Sequence, residues 1–163
     1  MKKLLIIRHA KSSWDDPYLE DHKRPLSSRG LRDMPNMAQR LKAKSIFPEV
    51  IYASDAVRAK STALLLIQHL AQPNMHIDFY HDLFHASSGK ILEKIHACPD
   101  SYGSLAIVGH NPGLNELIWN LGQNIDNLPT SGIFGFTCNI DSWKNISDKT
   151  AEFWFFDYPK KAH

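Results

Sequence analysis

The 163-residue sequence has little net charge and few cysteines, and it contains no long hydrophobic run. Lysine and arginine outnumber aspartate and glutamate by only 19 to 17, whereas a nucleic-acid-binding protein needs a strongly basic face. The two cysteines, Cys98 and Cys138, stand in no paired motif, so we expect reduced thiols. A disulfide-stabilised scaffold and a nucleic-acid partner are therefore not expected.

The apolar runs are too short for a membrane span. The run at residues 63–67, ALLLI, is far below the roughly 20 residues that a transmembrane helix requires. The start, MKKLLIIRHA, places two lysines before an apolar run as a signal peptide does, but Arg8 ends that run sooner than a signal sequence allows. We expect a cytoplasmic protein with no membrane partner.

What the sequence does contain is an alternation of short apolar runs and helix-like segments. Apolar residues make up 43% of the chain and charged residues 22%, which is typical of globular proteins. The alternation predicts an α/β sandwich with a largely parallel sheet, in a single domain over residues 1–163. The predicted strands are residues 4–7, 50–53, 76–80, 105–108, 133–137 and 152–156, and the predicted helices are 30–44, 54–70, 87–96 and 112–121.

Particular residues predict how these segments begin. Ser54 is the expected N-cap of the second helix, and Asn111 followed by Pro112 is the expected N-cap and first residue of the fourth. Pro35 lies within the first predicted helix, so it must occupy the first turn or kink the helix. The loop at residues 14–24, rich in aspartate and proline, is predicted to be exposed.

Three predicted strands end next to residues that can bind or attack an anion. The first leads into Arg8 and His9, the second precedes the helix that carries Arg58, and the fourth is followed by GHNPG at residues 109–113. Ligands of open α/β sheets bind outside the carboxyl ends of the strands, where such loops meet. We therefore expect these residues to line one site.

The chemistry of this set suits phosphoryl transfer. Arg8 and Arg58 offer planar forks of donors for phosphate oxygens, and His110 stands beside a helix N-terminus as an imidazolium. His9 is the candidate nucleophile, because an imidazole with an ordinary pKa of roughly 6.5 is largely neutral near pH 7. A backbone carbonyl bonded to Nδ1–H would leave Nε2 free to attack phosphorus. Activity is expected to fall in acid as His9 gains a proton.

The same motifs resemble those of a known family. LLIIRHAK resembles the RH-[GA] motif of the histidine phosphatase superfamily, SDAVRAKSTA resembles its S-x-A-x-R-A-x-x-T-A helix, and VGHNPGL is similar to its G-H motif. RPLSSRG, at residues 24–30, resembles the family segment after the first motif, and the GHNPGL stretch is most similar to the SixA-type phosphohistidine phosphatases. The resemblance implies a three-layer sandwich with a mixed central sheet, as in phosphoglycerate mutases.

The resemblance also implies roles for individual residues. His9 would be the phospho-acceptor, and Arg8, Arg58 and His110 would bind the phosphate. YHDLFHAS loosely resembles the family segment E-x-L-[YF], which offers Asp82 as the acid for the leaving oxygen, although the spacing is one residue short. Without such an acid, substrates would be restricted to labile phosphates such as phosphohistidine.

A rival interpretation concerns HDLFH at residues 81–85, which is similar to an H-E-x-x-H zinc motif. That motif requires a helix, whereas this segment follows a predicted strand, has aspartate in place of glutamate and lacks an evident third ligand. We therefore expect no metal and no cofactor.

The sequence predicts a metal-independent phosphatase that acts through phospho-His9 on protein phosphohistidine. A phosphatase for small phosphorylated metabolites, and a phosphate- or phosphoprotein-binding module without turnover, remain as alternatives. The oligomeric state and the pathway are not predicted.

Overall fold

A six-stranded mixed sheet forms the centre of the computed structural model, which describes residues 1–162. Four strands, β1 to β4, run parallel, β5 runs antiparallel to β1, and β6 runs antiparallel to β5. The order across the sheet is β3-β2-β4-β1-β5-β6. The strands are β1 Lys2–Arg8, β2 Val50–Ser54, β3 His76–Tyr80, β4 Ser104–Gly109, β5 Ile133–Cys138 and β6 Ala151–Asp157.

Helices cover both faces of this sheet and complete three layers. The helices α1 and α2 pack together on one face, and α3 and α4 pack together on the other. This arrangement confirms the predicted α/β sandwich with a mostly parallel mixed sheet. The helices are α1 Ser28–Ala43, α2 Val57–Leu70, α3 Ser88–His96 and α4 Gly113–Asn120, with short 3₁₀ helices at Asp21–Lys23, His81–Leu83 and Trp143–Asn145.

The two cores explain why the first strand is apolar at consecutive positions. Successive side chains of a strand point to opposite faces of the sheet. Leu4 and Ile6 therefore pack into the core beneath α3 and α4, whereas Leu5 and Ile7 pack into the core beneath α1 and α2. A strand buried on both faces has to be apolar throughout, and the run ends where the chain leaves the sheet.

The starts of two helices differ from the prediction. Ser54 is the last residue of β2 and does not cap α2, which begins at Val57 with Ala56 at the N-cap. The fourth helix begins at Gly113 with Pro112 at the N-cap, one residue later than expected. In both places the chain makes a separate turn after the strand before the helix starts.

The first helix also begins earlier than predicted. It starts at Ser28, and the Ser27 side chain caps it by accepting a hydrogen bond from the N–H of Gly30 at 3.2 Å. Pro35 lies inside this helix, beyond its first turn. Within residues 1–162, none of the helices is both long enough and apolar enough to cross a bilayer.

Candidate active site

The carboxyl ends of β1, β2 and β4 open into one cleft of about 340 Å³. Because β4 lies between β2 and β1 and all three run parallel, the loops that follow them meet at the same edge. β1 ends at Arg8 and leads into His9, β4 leads into His110, and α2 carries Arg58. All four side chains line the cleft.

A second cleft, of about 290 Å³, lies near the opposite ends of the strands. Lys3, Glu49 and Trp154 are among its lining residues, and the lining within the described residues contains neither histidine nor cysteine. It therefore offers no nucleophile comparable to His9.

His9 is buried and oriented by the backbone. Its Nδ1 lies 2.7 Å from the carbonyl oxygen of Ala10, and since a carbonyl only accepts hydrogen bonds, Nδ1 carries the ring proton. Nε2 is then the nitrogen with a free lone pair. Thr62 of α2 fixes this loop, since its hydroxyl accepts from the N–H of Ala10 at 2.9 Å and donates to the carbonyl of Arg58 at 2.7 Å.

Burial lowers the pKa of His9 to about 4, and the nearby cations Arg58 and Arg8 act in the same direction. The hydrogen bond to Ala10 opposes this shift only in part. His9 is therefore neutral at physiological pH, with a larger margin than the ordinary imidazole pKa suggested. The acid limb that the sequence predicted moves to lower pH.

His110 is the second buried histidine of the cleft, with its ring centroid 5.1 Å from that of His9. Its Nε2 lies 2.8 Å from Oγ of Ser54, and Oγ also accepts from the N–H of Ala56 at 3.2 Å. Ser54 is fully buried, and donation of its hydroxyl proton to Nε2 gives that proton an acceptor, which places the His110 proton on Nδ1. Burial, His9 and Arg58 lower the pKa of His110, so the ring is a neutral donor and not the imidazolium expected from the sequence.

The two arginines approach the cleft from different elements. Arg58 is 3% exposed, and its Nη1 and Nη2 donate to the carbonyl and to the Oδ2 of Asp21 at 2.6 and 3.0 Å. Arg8 donates from Nη1 to the carbonyl of Leu128 at 3.1 Å. Arg8 and Arg58 therefore bring two guanidinium groups to the cleft that His9 lines.

Two buried donors of the cleft, Nε of Arg8 and Nδ1 of His110, have no hydrogen-bond partner among the described residues. An unsatisfied buried polar group costs about 1–3 kcal/mol. A bound oxyanion would accept from both donors. The arrangement suits a phosphoryl group held next to Nε2 of His9.

The cleft also contains residues that the sequence reasoning missed. Asp21 and His85 line it, and Arg24 is only 7% exposed, although residues 14–24 were predicted to form an exposed loop. Arg24 donates to Oδ1 of Asp21 at 3.1 Å, and its guanidinium carbon lies 3.2 Å from the ring centroid of Trp14. The RPLSSRG segment, which begins at Arg24, was a sequence indication of this part of the site.

Asp82 does not join the other four predicted site residues. It lies in the 3₁₀ helix after β3, and its Oδ2 is 3.0 Å from Nζ of Lys94. It lines a different pocket, together with Lys90 and Glu93 of α3. The structure therefore gives no support to Asp82 as the acid for a leaving group in this cleft.

The two histidines of HDLFH do not share one face of a helix. Nε2 of His85 lies 2.9 Å from Oδ2 of Asp21, whereas Nδ1 of His81 lies 3.1 Å from Oδ2 of Asp55. His22 also bonds Asp55, so the ligand atoms of His22, Asp55 and His81 lie within 4.8 Å of one another. These three residues form the group among residues 1–162 that could hold a cation, and both imidazoles already hydrogen-bond the shared carboxylate.

Comparisons with known proteins agree with this geometry. The family model of the histidine phosphatase superfamily (branch 1) matches residues 4–118. An uncharacterized chloroplastic protein of Arabidopsis thaliana is 33% identical over 125 residues, which cover 71% of this chain and 56% of the relative. An uncharacterized protein of Mycobacterium tuberculosis is 32% identical over 111 residues, 68% of this chain and 66% of the relative. The chain thus matches less than two thirds of either relative's length.

Solved structures show the same fold. The protein histidine phosphatase SixA in complex with tungstate superimposes with a TM-score of 0.81 at 22% identity, covering 96% of this chain and 97% of SixA. A protein of Nakamurella multipartitia proposed to be a SixA phosphohistidine phosphatase gives a TM-score of 0.83 at 18% identity, covering 98% of this chain and 97% of the other. The chain therefore has a phosphoglycerate-mutase-like α/β fold, which it shares with SixA proteins. The chain belongs to the histidine phosphatase superfamily, branch 1.

Proposed function

We propose that this chain is a phosphatase that transfers a phosphoryl group to His9 and then to water, without a metal ion. The observation that carries the proposal is the orientation of His9. Its Nδ1 is bonded to the Ala10 carbonyl, so Nε2 has a free lone pair with which to attack phosphorus. The unpaired donors of Arg8 and His110 line the same cleft.

The reaction takes two displacements at phosphorus. In the first, the lone pair of His9 Nε2 forms a bond to phosphorus, and the bond to the leaving group breaks with its electron pair. In the second, water attacks phosphorus, and the N–P bond breaks with its pair returning to Nε2. Arg8 and Arg58 compensate the charge on the transferring oxygens, and His110 Nδ1–H donates to one of them.

Protein phosphohistidine is the substrate we favour. The structural neighbours of SixA type support this choice, because SixA is described as a protein histidine phosphatase. The cleft is also rimmed by Trp14, whose side chain is 68% exposed and offers an aromatic contact to a protein surface. A phosphatase for small phosphate esters would use the same phosphoryl site without this rim.

The experiment incubates the protein with a phosphohistidine substrate labelled with ³²P, stops the reaction without acid and measures the ³²P bound to the protein. His9→Ala is expected to abolish the label and to reduce turnover by at least about 10³-fold, because the nucleophile is lost. His76→Ala is the matched control, since His76 lies at the start of β3 and its side chain is 54% exposed. Tungstate binding by both variants tests whether the arginine cluster stays folded.

Hydrolysis that persists in His9→Ala would exclude the covalent mechanism. Tungstate binding without turnover or label in the wild type would favour the binding module instead. A preference for alkyl phosphate over phosphohistidine would favour the small-ester phosphatase.

A further inference from the structure

His85, three residues after Asp82, lines the cleft, whereas Asp82 does not. It follows the 3₁₀ helix His81–Leu83, and its backbone φ is +51°, a left-handed conformation uncommon for residues other than glycine. Its ring lies against Phe84, with centroids 4.2 Å apart, and 5.2 Å from the ring of His110. The backbone turn directs His85 into the cleft, while Asp82 pairs with Lys94 outside it.

Asp21 holds the His85 ring in a defined orientation. Oδ2 of Asp21 lies 2.9 Å from Nε2 of His85 and 3.0 Å from Nη2 of Arg58. Burial acts to raise the pKa of Asp21, but hydrogen bonds from His85 and Arg58 outweigh it and hold that pKa well below its usual range. An ionised carboxylate only accepts hydrogen bonds, so Nε2 of His85 carries a proton and Nδ1 is the nitrogen that can exchange one.

The other titratable groups of the cleft do not suit proton transfer to a leaving group. Asp21 is ionised and holds no proton to give. His110 donates from Nδ1 to the phosphoryl group while Ser54 occupies its Nε2. Lys11 also lines the cleft, but it is an exposed residue, and no carboxylate among the described residues orients it as Asp21 orients His85. His85 is the remaining candidate, because Asp21 holds Nε2 of its ring and leaves Nδ1 to exchange a proton.

We propose that His85, oriented by Asp21, is the catalytic acid and base of both displacements, which extends the substrate class from labile phosphates to phosphate esters. The inference rests on the proposed function of His9. In the first displacement the P–O bond breaks with its electron pair, and the leaving oxygen takes the proton from Nδ1 of His85. In the second, the attacking water gives a proton back to Nδ1 as the N–P bond breaks.

The test measures kcat/KM for a series of aryl phosphates whose phenols differ in acidity. Dinitrophenolate leaves without a proton, whereas phenolate, whose conjugate acid has a pKa of about 10, leaves slowly without one. His85→Asn is the variant of choice, because asparagine tolerates a positive φ and cannot shuttle a proton. His85→Gln is a second variant that retains a longer side chain in the cleft.

For phenyl phosphate, kcat/KM of both variants is expected to fall by about 10²-fold or more, the usual contribution of acid catalysis. For dinitrophenyl phosphate it is expected to change by less than about 3-fold, so the dependence on leaving-group acidity becomes steeper. With the dinitrophenyl ester, phospho-His9 is expected to accumulate in both variants, because the base for the hydrolysis of phospho-His9 is missing. His81→Asn, at an exposed histidine that bonds Asp55, is the matched control and keeps the wild-type slope.

An equal decrease in kcat/KM for all esters in His85→Asn and His85→Gln would assign His85 a structural role and overturn this inference. An unchanged dependence of kcat/KM on the acidity of the leaving group would also overturn it. In either case, label on His9 would leave the proposed function standing. The absence of label on His9 in the wild type would overturn the proposed function itself, whatever the slopes are.

Discussion

At the scale of single residues, the site depends on which ring nitrogen carries the proton. The Ala10 carbonyl fixes the proton of His9 on Nδ1, and the Ser54 hydroxyl fixes that of His110 on Nδ1 as well. The two rings thereby receive opposite roles. In the proposed reaction, His9 offers a lone pair at Nε2 to phosphorus, whereas His110 offers a donor at Nδ1 to a phosphoryl oxygen.

Ser54→Ala is expected to impair both stability and activity, although Ser54 does not touch the substrate. The substitution leaves Nε2 of His110 and the N–H of Ala56 without their partner, which costs about 1–3 kcal/mol of the free energy of unfolding. His110 can then move its proton to Nε2, and we expect kcat/KM to fall by about 10-fold or more as a donor to the transition state is lost.

Urea unfolding and steady-state kinetics check this prediction. Ser104→Ala is the control, because Ser104 also accepts a backbone N–H, from Glu49 at 2.9 Å, but lies at the opposite end of the sheet. It is expected to lose stability without losing kcat/KM. Full activity in Ser54→Ala would show that the proton position on His110 does not matter.

The sequence predicted the residues that directly follow apolar strands and missed those in irregular segments. Arg8 and His110 adjoin strands whose ends meet, so their proximity follows from the parallel arrangement. The choice between Asp82 and His85 depends on a backbone turn with positive φ, for which the residues gave no indication. Asp21 begins the short 3₁₀ helix Asp21–Lys23 and contacts the buried Arg24 and Arg58, and the pairing with Arg58 is a tertiary effect that local sequence does not encode.

At the scale of elements, helices pack directly against the backbone of the site loops. α4 begins at Gly113, and a Cβ added there would overlap the carbonyl oxygen of Ala86, the residue after His85. The close approach lets the helix fix the loop that carries His85. A glycine at this position is therefore required by contact and not by its backbone dihedral angles.

Gly113→Ala is expected to lower the free energy of unfolding by about 1–3 kcal/mol, as overpacking of a core does, and to reduce activity by displacing the loop of His85. Gly89→Ala in α3 is the matched control. A Cβ at Gly89 would meet nothing closer than Oγ of Ser87 at 3.9 Å, so this variant gains up to about 1 kcal/mol from helix propensity. Thermal unfolding and kcat/KM for both variants check the contrast, and equal effects would contradict the packing argument.

The strands were predicted to within one or two residues, and the clearest signal came from strands buried on both faces, such as β1, which carry continuous apolar runs. The start of α2 at Val57 was missed by three residues, because a turn follows β2 before the helix begins. Such turns are fixed by hydrogen bonds like that between Ser54 and Ala56, which join residues of different elements. Patterns of apolar residues predict what is buried better than where a helix begins.

At the scale of the whole molecule, the order of the strands is what brings the site together. The alternation of strands and helices predicted a largely parallel sheet, but it did not predict that β4 lies between β2 and β1. That order places the start of α2, which carries Arg58, beside the loops of His110 and His9. The organisation as a single domain and the location in the cytoplasm stay predictions.

The two buried histidines also make the stability of the whole fold depend on pH. In the unfolded chain their pKa is roughly 6.5, whereas in the folded protein that of His9 is about 4 and that of His110 is also lowered. Between these values the unfolded chain binds more protons, so stability decreases as pH falls from about 6.5 to 4. Aspartates with lowered pKa, such as Asp21 and Asp55, lose their contribution only below the usual aspartate value of 3.8.

The free energy of unfolding is therefore expected to fall between pH 7 and pH 4.5 by about 1–3 kcal/mol for each buried histidine. Urea unfolding at the two pH values measures this difference. The variant with His9→Asn and His110→Asn together should lose much less on acidification, whatever its stability at pH 7, because neither substituted residue titrates. His76→Asn, at an exposed histidine, should keep the wild-type dependence. If the double variant lost as much stability as the wild type, the histidines of the cleft would have to be charged in the folded protein, and His9 would lack the free lone pair that attack on phosphorus requires.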